Sequence, residues 1–227
     1  MLTRASSEET RPPEIAQKRL AVLEQAIGLF AEEGFRRADV QMVADRAGVG
    51  KGTVYRYFGS KEDLFWAAIY AVMERLEKHL RVAVDAAADP ESKLRAAGLA
   101  YAEFFESNPR YLEIFVQDRA EFRGKAPELH LEYHQNLVEH FSQIVADGVA
   151  MGQFCPLDPR ATIRALSSML YGAVVFHCYV RDQRGLVAHT ANCLEIFLRG
   201  IALMAAERLA GAEENPGNPE ACRAERE

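Results

Sequence analysis

The segment GFRRADVQMVADRAGVGKGTVYRYFGSKEDLF, residues 34–65, decides the fold of this chain. Its first part places apolar side chains at Val40, Val43, Ala44 and Ala47, which is the i, i+3, i+4, i+7 spacing of one helical face. Asp39 stands directly before that face, where a helix needs an N-cap side chain. The pattern therefore predicts a two-turn helix that begins after Asp39.

A tight glycine turn and a second short helix are predicted next. Gly48 is able to adopt the left-handed conformation that ends a helix and turns the chain at once. The second helix is predicted from Lys51 to Phe58, with Val54 and Phe58 turned inward at spacing i, i+4. Its other side chains then lie outward, so this helix has an exposed polar side that is suited to a partner.

The outward side of the second helix carries groups that attract phosphate oxygens. From Arg46 to Lys61 the chain contains no acidic residue, and its basic side chains alternate with Thr and Tyr hydroxyls. A short exposed helix also has the width of the DNA major groove. Ser60 then caps the third helix of this segment, with Asp63 three residues further on as in a capping box. The segment predicts a helix-turn-helix that binds DNA.

The run AGVGKGTVYRYFGSKEDL, residues 47–64, resembles the signature of the tetracycline-repressor (TetR) family of bacterial transcription regulators, and the resemblance extends over about residues 20–65. Two departures matter. Gly50 stands where the family often has Ser or Thr, so the recognition helix lacks a side-chain cap. Ala38 and Asp39 stand where the family often has two Thr residues. Because a carboxylate repels phosphate, we predict no phosphate contact at Asp39.

The resemblance implies a homodimeric DNA-binding transcription regulator, which we predict to be a repressor released from its double-stranded operator by a small-molecule effector. We predict that Lys51, Gly52 and Tyr55 contact base edges. The predicted phosphate contacts are Gln41, Thr53, Arg56, Tyr57 and Lys61.

Hydrophobic residues in the remaining sequence recur at helical spacing, and no alternation typical of strands appears. Gly34 ends a first helix that is predicted to begin near Pro13. Asp89, Asn108 and Asp158 each precede a proline, and this pairing of a cap with the first helical residue marks a helix start. The helices predicted after the motif are 61–88, 90–107, 109–123, 127–151, 159–181 and 187–210.

These elements predict an all-α fold of about nine helices. An N-terminal three-helix head is joined by the fourth helix to a C-terminal antiparallel helical bundle. The predicted parts are a disordered arm at 1–12, a helix-turn-helix DNA-binding domain at 13–60, an effector-binding and dimerisation domain at 61–210, and a disordered tail at 211–227.

Composition limits the class of protein. The chain has 227 residues, of which 49% are hydrophobic, and these suffice for a core. Its net charge of -6 lies outside the first 65 residues, which hold equal numbers of basic and acidic side chains. The polar start and the lack of a long apolar run predict a cytoplasmic protein with no membrane partner. Reduced thiols are predicted at four widely spaced cysteines: Cys155, Cys178, Cys193 and Cys222.

The helices predicted at 159–181 and 187–210 are apolar over more than one face. One face of each is able to pack on the domain core. The resemblance implies that the other faces pair with a second copy as a four-helix dimer interface, and we predict a homodimer. The alternative is that both helices are internal to one chain.

Aromatic side chains over residues 90–181 predict the walls of an effector cavity, with polar contacts from residues such as Gln117. The alternative for each aromatic residue is packing in the core. The ligand-binding candidates are Tyr101, Phe104, Phe115, Arg119, Tyr133, His134 and His177.

A rival hypothesis comes from a second group of residues. Asp118 and Glu121 are spaced i, i+3, and His130 and His134 are spaced i, i+4, as a metal site on two helices would need. This spacing raises the alternative of an all-α metal-binding protein or enzyme, although exposed helix faces also carry such residues. No nucleophile–base arrangement is recognisable, and the glycine-rich run at 48–53 lacks the spacing of a P-loop. We therefore predict neither enzymatic activity nor a cofactor.

Overall fold

The computed structural model describes residues 13–121, 127–180 and 185–214. Over these residues the chain is helical and contains no strand, which confirms the predicted all-α fold. The predicted arm at 1–12 lies outside the described residues. The described ranges contain nine helices: α1 (Pro13–Arg37), α2 (Val40–Arg46), α3 (Lys51–Phe58), α4 (Lys61–Asp85), α5 (Pro90–Ser107), α6 (Pro109–Glu121), α7 (Glu128–Ala150), α8 (Pro159–Val180) and α9 (Gly185–Glu214).

Glycines with positive φ separate the helices of the head. Gly34 (φ 76°, ψ 160°) interrupts α1 where the sequence predicts its end, and a last short turn continues to Arg37. Gly48 (φ 66°) follows α2 and turns the chain toward α3. Only glycine adopts these backbone conformations at low cost, so both predicted breaks are confirmed.

The predicted caps of the head are also confirmed. Asp39 Oδ1 accepts a hydrogen bond of 2.8 Å from the backbone N–H of Gln41 at the start of α2. Before α4, Ser60 Oγ accepts from the N–H of Asp63, and Asp63 Oδ2 accepts from the N–H of Ser60, both at 3.0 Å. Gly50 precedes α3 without a side-chain cap.

The described residues divide into two compact units. The first contains residues up to His79 together with Phe104–His130, so α6 belongs with the head helices and packs on α1. Phe30 and Phe65 are fully buried there, and their rings meet edge to face with centroids 5.1 Å apart. This ring contact holds α1 against α4. The predicted domain boundary at residue 60 stays a prediction.

The second unit contains Leu80–Glu103 and the residues from Leu131 onward. Its core includes Leu94 of α5, Val145 of α7 and Leu194 of α9, all fully buried. A Cβ atom added to Gly148 would lie 2.2 Å from a ring carbon of Phe154, so α7 needs glycine at this close approach.

Three predictions of helix limits and caps need correction. The fourth helix ends at Asp85 rather than near residue 88, and α9 continues to Glu214, into the predicted disordered tail. Ala and Glu at 212–214 favour helix. Residues 215–227 lie outside the described part of the chain. Asn108 does not act as expected, because its Nδ2 donates to the Phe104 carbonyl oxygen at 2.8 Å and thereby closes α5.

Asp89 and Asp158 do cap the helices that follow them. Their Oδ1 atoms accept from the N–H groups of Ser92 at 3.1 Å and Arg160 at 3.0 Å. None of the helices in the described ranges has an apolar stretch long enough to cross a membrane.

Candidate nucleic-acid interface

The predicted DNA-contacting residues lie on the outer side of α3 and at the starts of α2 and α4. All eight are exposed or half-buried, whereas Val54 and Phe58 on the inner side of α3 are buried. Tyr55 is 40% exposed, which is high for an aromatic side chain. We call this set the recognition surface: Gln41, Lys51, Gly52, Thr53, Tyr55, Arg56, Tyr57 and Lys61.

An ion pair joins the starts of α2 and α3. Lys51, the first residue of α3, places its Nζ 3.3 Å from Oδ1 of Asp39, the cap of α2. The backbone N–H of Gln41 lowers the pKa of the Asp39 carboxyl most, and the Lys51 ammonium lowers it further. Asp39 is therefore an ionised carboxylate at the edge of a surface that is otherwise basic.

Lys61 is directed toward the end of α1. Its Nζ donates to the carbonyl oxygen of Arg36 at 3.1 Å and lies 4.9 Å from the ring centroid of Phe35. Partial burial lowers the pKa of this ammonium, while the charge of Asp39 opposes that shift. An ammonium has three donors, so one bond to Arg36 leaves others for a phosphate.

Aromatic stacking positions the far end of α3. The guanidinium of Arg56 lies 5.5 Å from the ring centroid of Tyr57, and that ring meets Phe58 edge to face at 6.4 Å. Gln41, on α2, donates from Nε2 to Asp45 Oδ1 at 2.7 Å. The recognition surface thus has several side chains held by neighbours before any DNA is present.

The Asp39–Lys51 pair was not predicted from the sequence. The sequence identified Asp39 as a cap and Lys51 as a base-contacting residue, but these residues are 12 positions apart. Their approach depends on the turn at Gly48, which returns the start of α3 to the start of α2. Opposite charges at the starts of consecutive helices are the signal that suggests such a pair.

Gln117 on α6 has a different role from the one expected. Its Nε2 donates to the Phe30 carbonyl oxygen at 3.0 Å, and its Oε1 accepts from the Phe35 N–H at 3.2 Å. These two groups flank the break at Gly34, where the regular helical hydrogen bonds are interrupted. Gln117 therefore bonds to the backbone of α1, and its amide is not a free cavity group.

Arg75 on α4 adds a second link between α1 and α6. Its guanidinium donates to the Tyr111 hydroxyl at 2.6 Å and to the carboxylate of Glu24. Desolvation opposes the charged form of Arg75, but Glu24 and Tyr111 together raise its pKa. The break in α1 and the body of α1 are thus both bonded to side chains of the first unit.

The effector candidates occur in both units. In the first unit, the buried ring of Phe104 stacks on Tyr111 at 5.4 Å, and Phe115 lies 5.1 Å from Phe105, so these rings also pack with one another. The side chain of Arg119 lies outside the described residues.

In the second unit, burial raises the pKa of Tyr101, and the charge of Tyr171 adds to the shift. Tyr133 is half-buried beside His134, with ring centroids 6.2 Å apart. His177 Nδ1 is buried and forms no hydrogen bond with the described residues. An imidazole nitrogen in that state is able to bind a polar group of a ligand.

The metal hypothesis gains no support. The side chains of Asp118, Glu121 and His130 lie outside the described residues. Among the side chains that are described, no group of three or more His, Cys, Asp and Glu residues is arranged to hold a metal ion.

Helices α8 and α9 pack together and still expose large apolar side chains. The ring of His189 stacks on Phe176 with a centroid distance of 6.3 Å. Phe176 is nevertheless 57% exposed, and Ile196 is 73% exposed. Large exposed apolar side chains on adjacent helices are typical of a surface that contacts a partner.

Two short helices around a glycine turn, with an exposed basic second helix and an all-helical body, define a helix-turn-helix DNA-binding protein. Residues 22–68 match the family model of bacterial regulatory proteins of the tetR family. Residues 87–174 match the model of the tetracyclin repressor-like C-terminal domain. The chain belongs to the TetR family of transcription regulators, as its resemblance to the family signature predicts.

Individual relatives agree with this assignment. The HTH-type transcriptional regulator YhgD of Bacillus subtilis is 28% identical over 163 residues, which cover 71% of this chain and 84% of the relative. The HTH-type transcriptional repressor KstR2 of Mycobacterium tuberculosis is 28% identical over 145 residues, covering 63% and 72%. The structure of FadR from Bacillus subtilis with stearoyl-CoA has a TM-score of 0.69 at 21% identity, covering 80% and 98%, and therefore shares the fold.

Proposed function

We propose that this transcription regulator is a homodimeric repressor, which binds a double-stranded operator through the recognition surface and leaves it when a small-molecule effector binds. The observation that carries this proposal is the exposed side of α3, where Lys51, Tyr55 and Arg56 project from a helix whose inner residues are buried. An exposed helix with such donors fits the major groove. Because the operator is chromosomal or plasmid DNA, the proposed location is the cytoplasm.

Two kinds of contact are proposed. Lys51 and Tyr55 are near the start and middle of α3, from which side chains reach base edges, and Gly52 permits close approach of the backbone. The remaining members of the recognition surface are assigned to phosphates, which fix register and carry no sequence information.

The dimer proposal is supported by the exposed apolar side chains of α8 and α9. Phe176 and Ile196 are more than half exposed in one chain, and a second copy would cover them. A single recognition helix also makes too few base contacts for useful specificity. Two copies would contact half-sites about one helical turn apart.

The proposed effector is a largely apolar organic molecule with a polar group. Residue composition supports this class, since Tyr101, Tyr133 and His177 of the second unit combine rings with polar atoms. FadR was solved with stearoyl-CoA, and KstR2 is named a ketosteroid transcriptional regulator, so both titles name a compound with a large apolar part. Effector binding is expected to cost about 1–3 kcal/mol of operator affinity, the usual range of coupling energies.

The test uses purified protein and a duplex library of random sequence. Rounds of selection should enrich a palindromic motif whose half-sites are about 10 base pairs apart. Adding long-chain acyl-CoA or a steroid to the selected duplex should then release the protein, while EDTA should have no effect. Retention of DNA without any enriched motif would contradict sequence-specific repression. Release by EDTA, and not by the organic molecules, would favour the metal alternative.

A further inference from the structure

We propose that Asp39 is a specificity-determining residue, which holds Lys51 for base contact and keeps its ammonium away from the phosphates of nonspecific DNA. This inference rests on the proposed role of the recognition surface. It concerns a position where the sequence alone predicted only a helix cap and the absence of a phosphate contact.

The backbone anchors the Asp39 carboxylate. Its Oδ1 accepts from the N–H of Gln41 at 2.8 Å, and that bond caps α2. Turning the carboxylate away would leave the first N–H groups of α2 without their cap. The negative charge therefore has a defined place at the start of α2 and remains there when DNA approaches.

The same oxygen restrains Lys51. Lys51 Nζ lies 3.3 Å from Asp39 Oδ1, and both side chains are accessible to a ligand, with exposed fractions of 42% and 58%. A lysine side chain has a long flexible stem, so an unrestrained ammonium reaches the phosphates of any sequence. The Asp39 carboxylate keeps Lys51 at the start of α3, where base edges are read.

The ion pair is exposed and therefore weak, so DNA is able to compete for Lys51. The outcome of that competition depends on the acceptor. A guanine offers O6 and N7 to an ammonium at the start of the recognition helix, whereas a phosphate also meets repulsion from the fixed Asp39 carboxylate. Asp39 thus lowers the binding of the Lys51 ammonium to phosphates more than its binding to base edges.

A double-mutant comparison tests this inference. Asp39→Asn retains an N-cap oxygen and removes the charge, and Lys51→Ala removes the partner. Affinities for the selected operator and for a scrambled duplex of equal length are measured for wild type, both single variants and the double variant. Asp39→Asn should raise affinity for the scrambled duplex about threefold to tenfold, raise operator affinity less, and so lower the specificity ratio. In the Lys51→Ala background, the same change should leave the ratio unaltered.

Asp45→Asn is the matched control. Asp45 is an exposed carboxylate at the other end of α2, and it accepts a hydrogen bond from Gln41 rather than from Lys51. This variant should change both affinities alike. Asp39→Thr, which also caps a helix without a charge, should reproduce the Asn result and serves if the Asn variant folds poorly.

The inference is wrong if Asp39→Asn leaves the ratio of operator affinity to scrambled-duplex affinity unchanged. It is also wrong if Asp39→Asn lowers this ratio as much in the Lys51→Ala background as in the wild-type background. Either result would reduce Asp39 to general repulsion or to a cap. Equal binding of operator and scrambled duplex by the wild-type protein would instead defeat the proposed function, before any variant is compared.

Discussion

The N–H of Phe35, just after the break in α1, donates to Oε1 of Gln117 on α6, 82 residues later in the chain, over 3.2 Å. The same side chain donates from Nε2 to the Phe30 carbonyl oxygen, just before the break. One amide therefore supplies a donor and an acceptor to backbone groups that Gly34 separates from regular helical pairing. The geometry makes the position of the head helices dependent on α6.

Replacing Gln117 with methionine should destabilise the protein, because the side chain keeps a similar length and loses both hydrogen bonds. We expect a loss of about 1–3 kcal/mol in the free energy of unfolding, measured with urea, since two part-buried backbone groups lose their partners. Gln143→Met is the control, because Gln143 donates a hydrogen bond to an exposed Asp147 on its own helix. A Gln117→Met protein as stable as Gln143→Met would show that water replaces the amide at no cost.

Gly148 should not tolerate alanine. The added Cβ would lie 2.2 Å from the ring of Phe154 and 3.1 Å from Pro90, and an aromatic ring packed in the core yields little. We expect a loss of about 1–3 kcal/mol in the free energy of unfolding.

Gly28→Ala on α1 is the matched change for Gly148→Ala, since a Cβ there would make only ordinary van der Waals contacts, at 3.8 Å from Arg110 and 3.9 Å from Glu32. Helix propensity should then stabilise the variant by up to about 1 kcal/mol. If thermal or urea unfolding finds Gly148→Ala equal to wild type, the close approach between α7 and Phe154 is incorrect.

Ile196→Arg should dissociate the proposed dimer, because a charged side chain would be buried between two copies of α9. Sedimentation equilibrium at micromolar concentration should find a dimer for wild type and a monomer for the variant. Val82→Arg provides a control with the same starting exposure, 73%, on α4, and should remain dimeric. A dimer that survives Ile196→Arg would locate the interface elsewhere.

Lys61→Ala and Lys51→Ala should affect DNA binding differently. Lys61 is assigned to phosphate, so its loss should weaken binding to the operator and to the scrambled duplex alike. The slope of log affinity against log salt concentration should become shallower by about one unit. Lys51→Ala should cost about 1–3 kcal/mol mainly on the operator and relax the preference at one base pair per half-site.

Mobility-shift titrations over a series of salt concentrations measure the affinities of both lysine variants for the operator and the scrambled duplex. Should Lys51→Ala weaken every duplex equally, base recognition would pass to Tyr55 and to the backbone at Gly52. A Lys61→Ala variant that keeps the wild-type salt dependence would remove Lys61 from the phosphate contacts.

Tyr101 should make stability fall at alkaline pH. Burial raises the pKa of its hydroxyl above the ordinary value, so the neutral form is favoured in the fold. This contribution is complete below the unfolded pKa of about 10 and is lost as pH rises toward the folded pKa. Tyr101→Phe should therefore have a shallower decline of unfolding free energy above that pH, measured with urea. Tyr55→Phe, at an exposed ring, should decline as steeply as wild type, and equal slopes for all three proteins would contradict the burial of Tyr101.

Sequence by itself determined the local features of this protein. Breaks at Gly34 and Gly48, the cap at Asp39 and the limits of α3 all follow from groups within a few residues of one another. Hydrophobic spacing likewise predicted that Val54 and Phe58 would be buried and that the recognition surface would face outward. The contacts of the recognition surface with DNA remain predictions, because they depend on a second molecule.

Only the tertiary structure decided which distant groups meet. Gln117 was expected near a ligand and instead bonds across the break in α1, and Asp39 caps α2 while it also pairs with Lys51. Asn108 closes the helix before it rather than opening the next. Local patterns determine backbone conformation because their hydrogen bonds close within one or two turns. The partner of a long polar side chain depends instead on how separate helices pack, and several partners are compatible with the same sequence spacing.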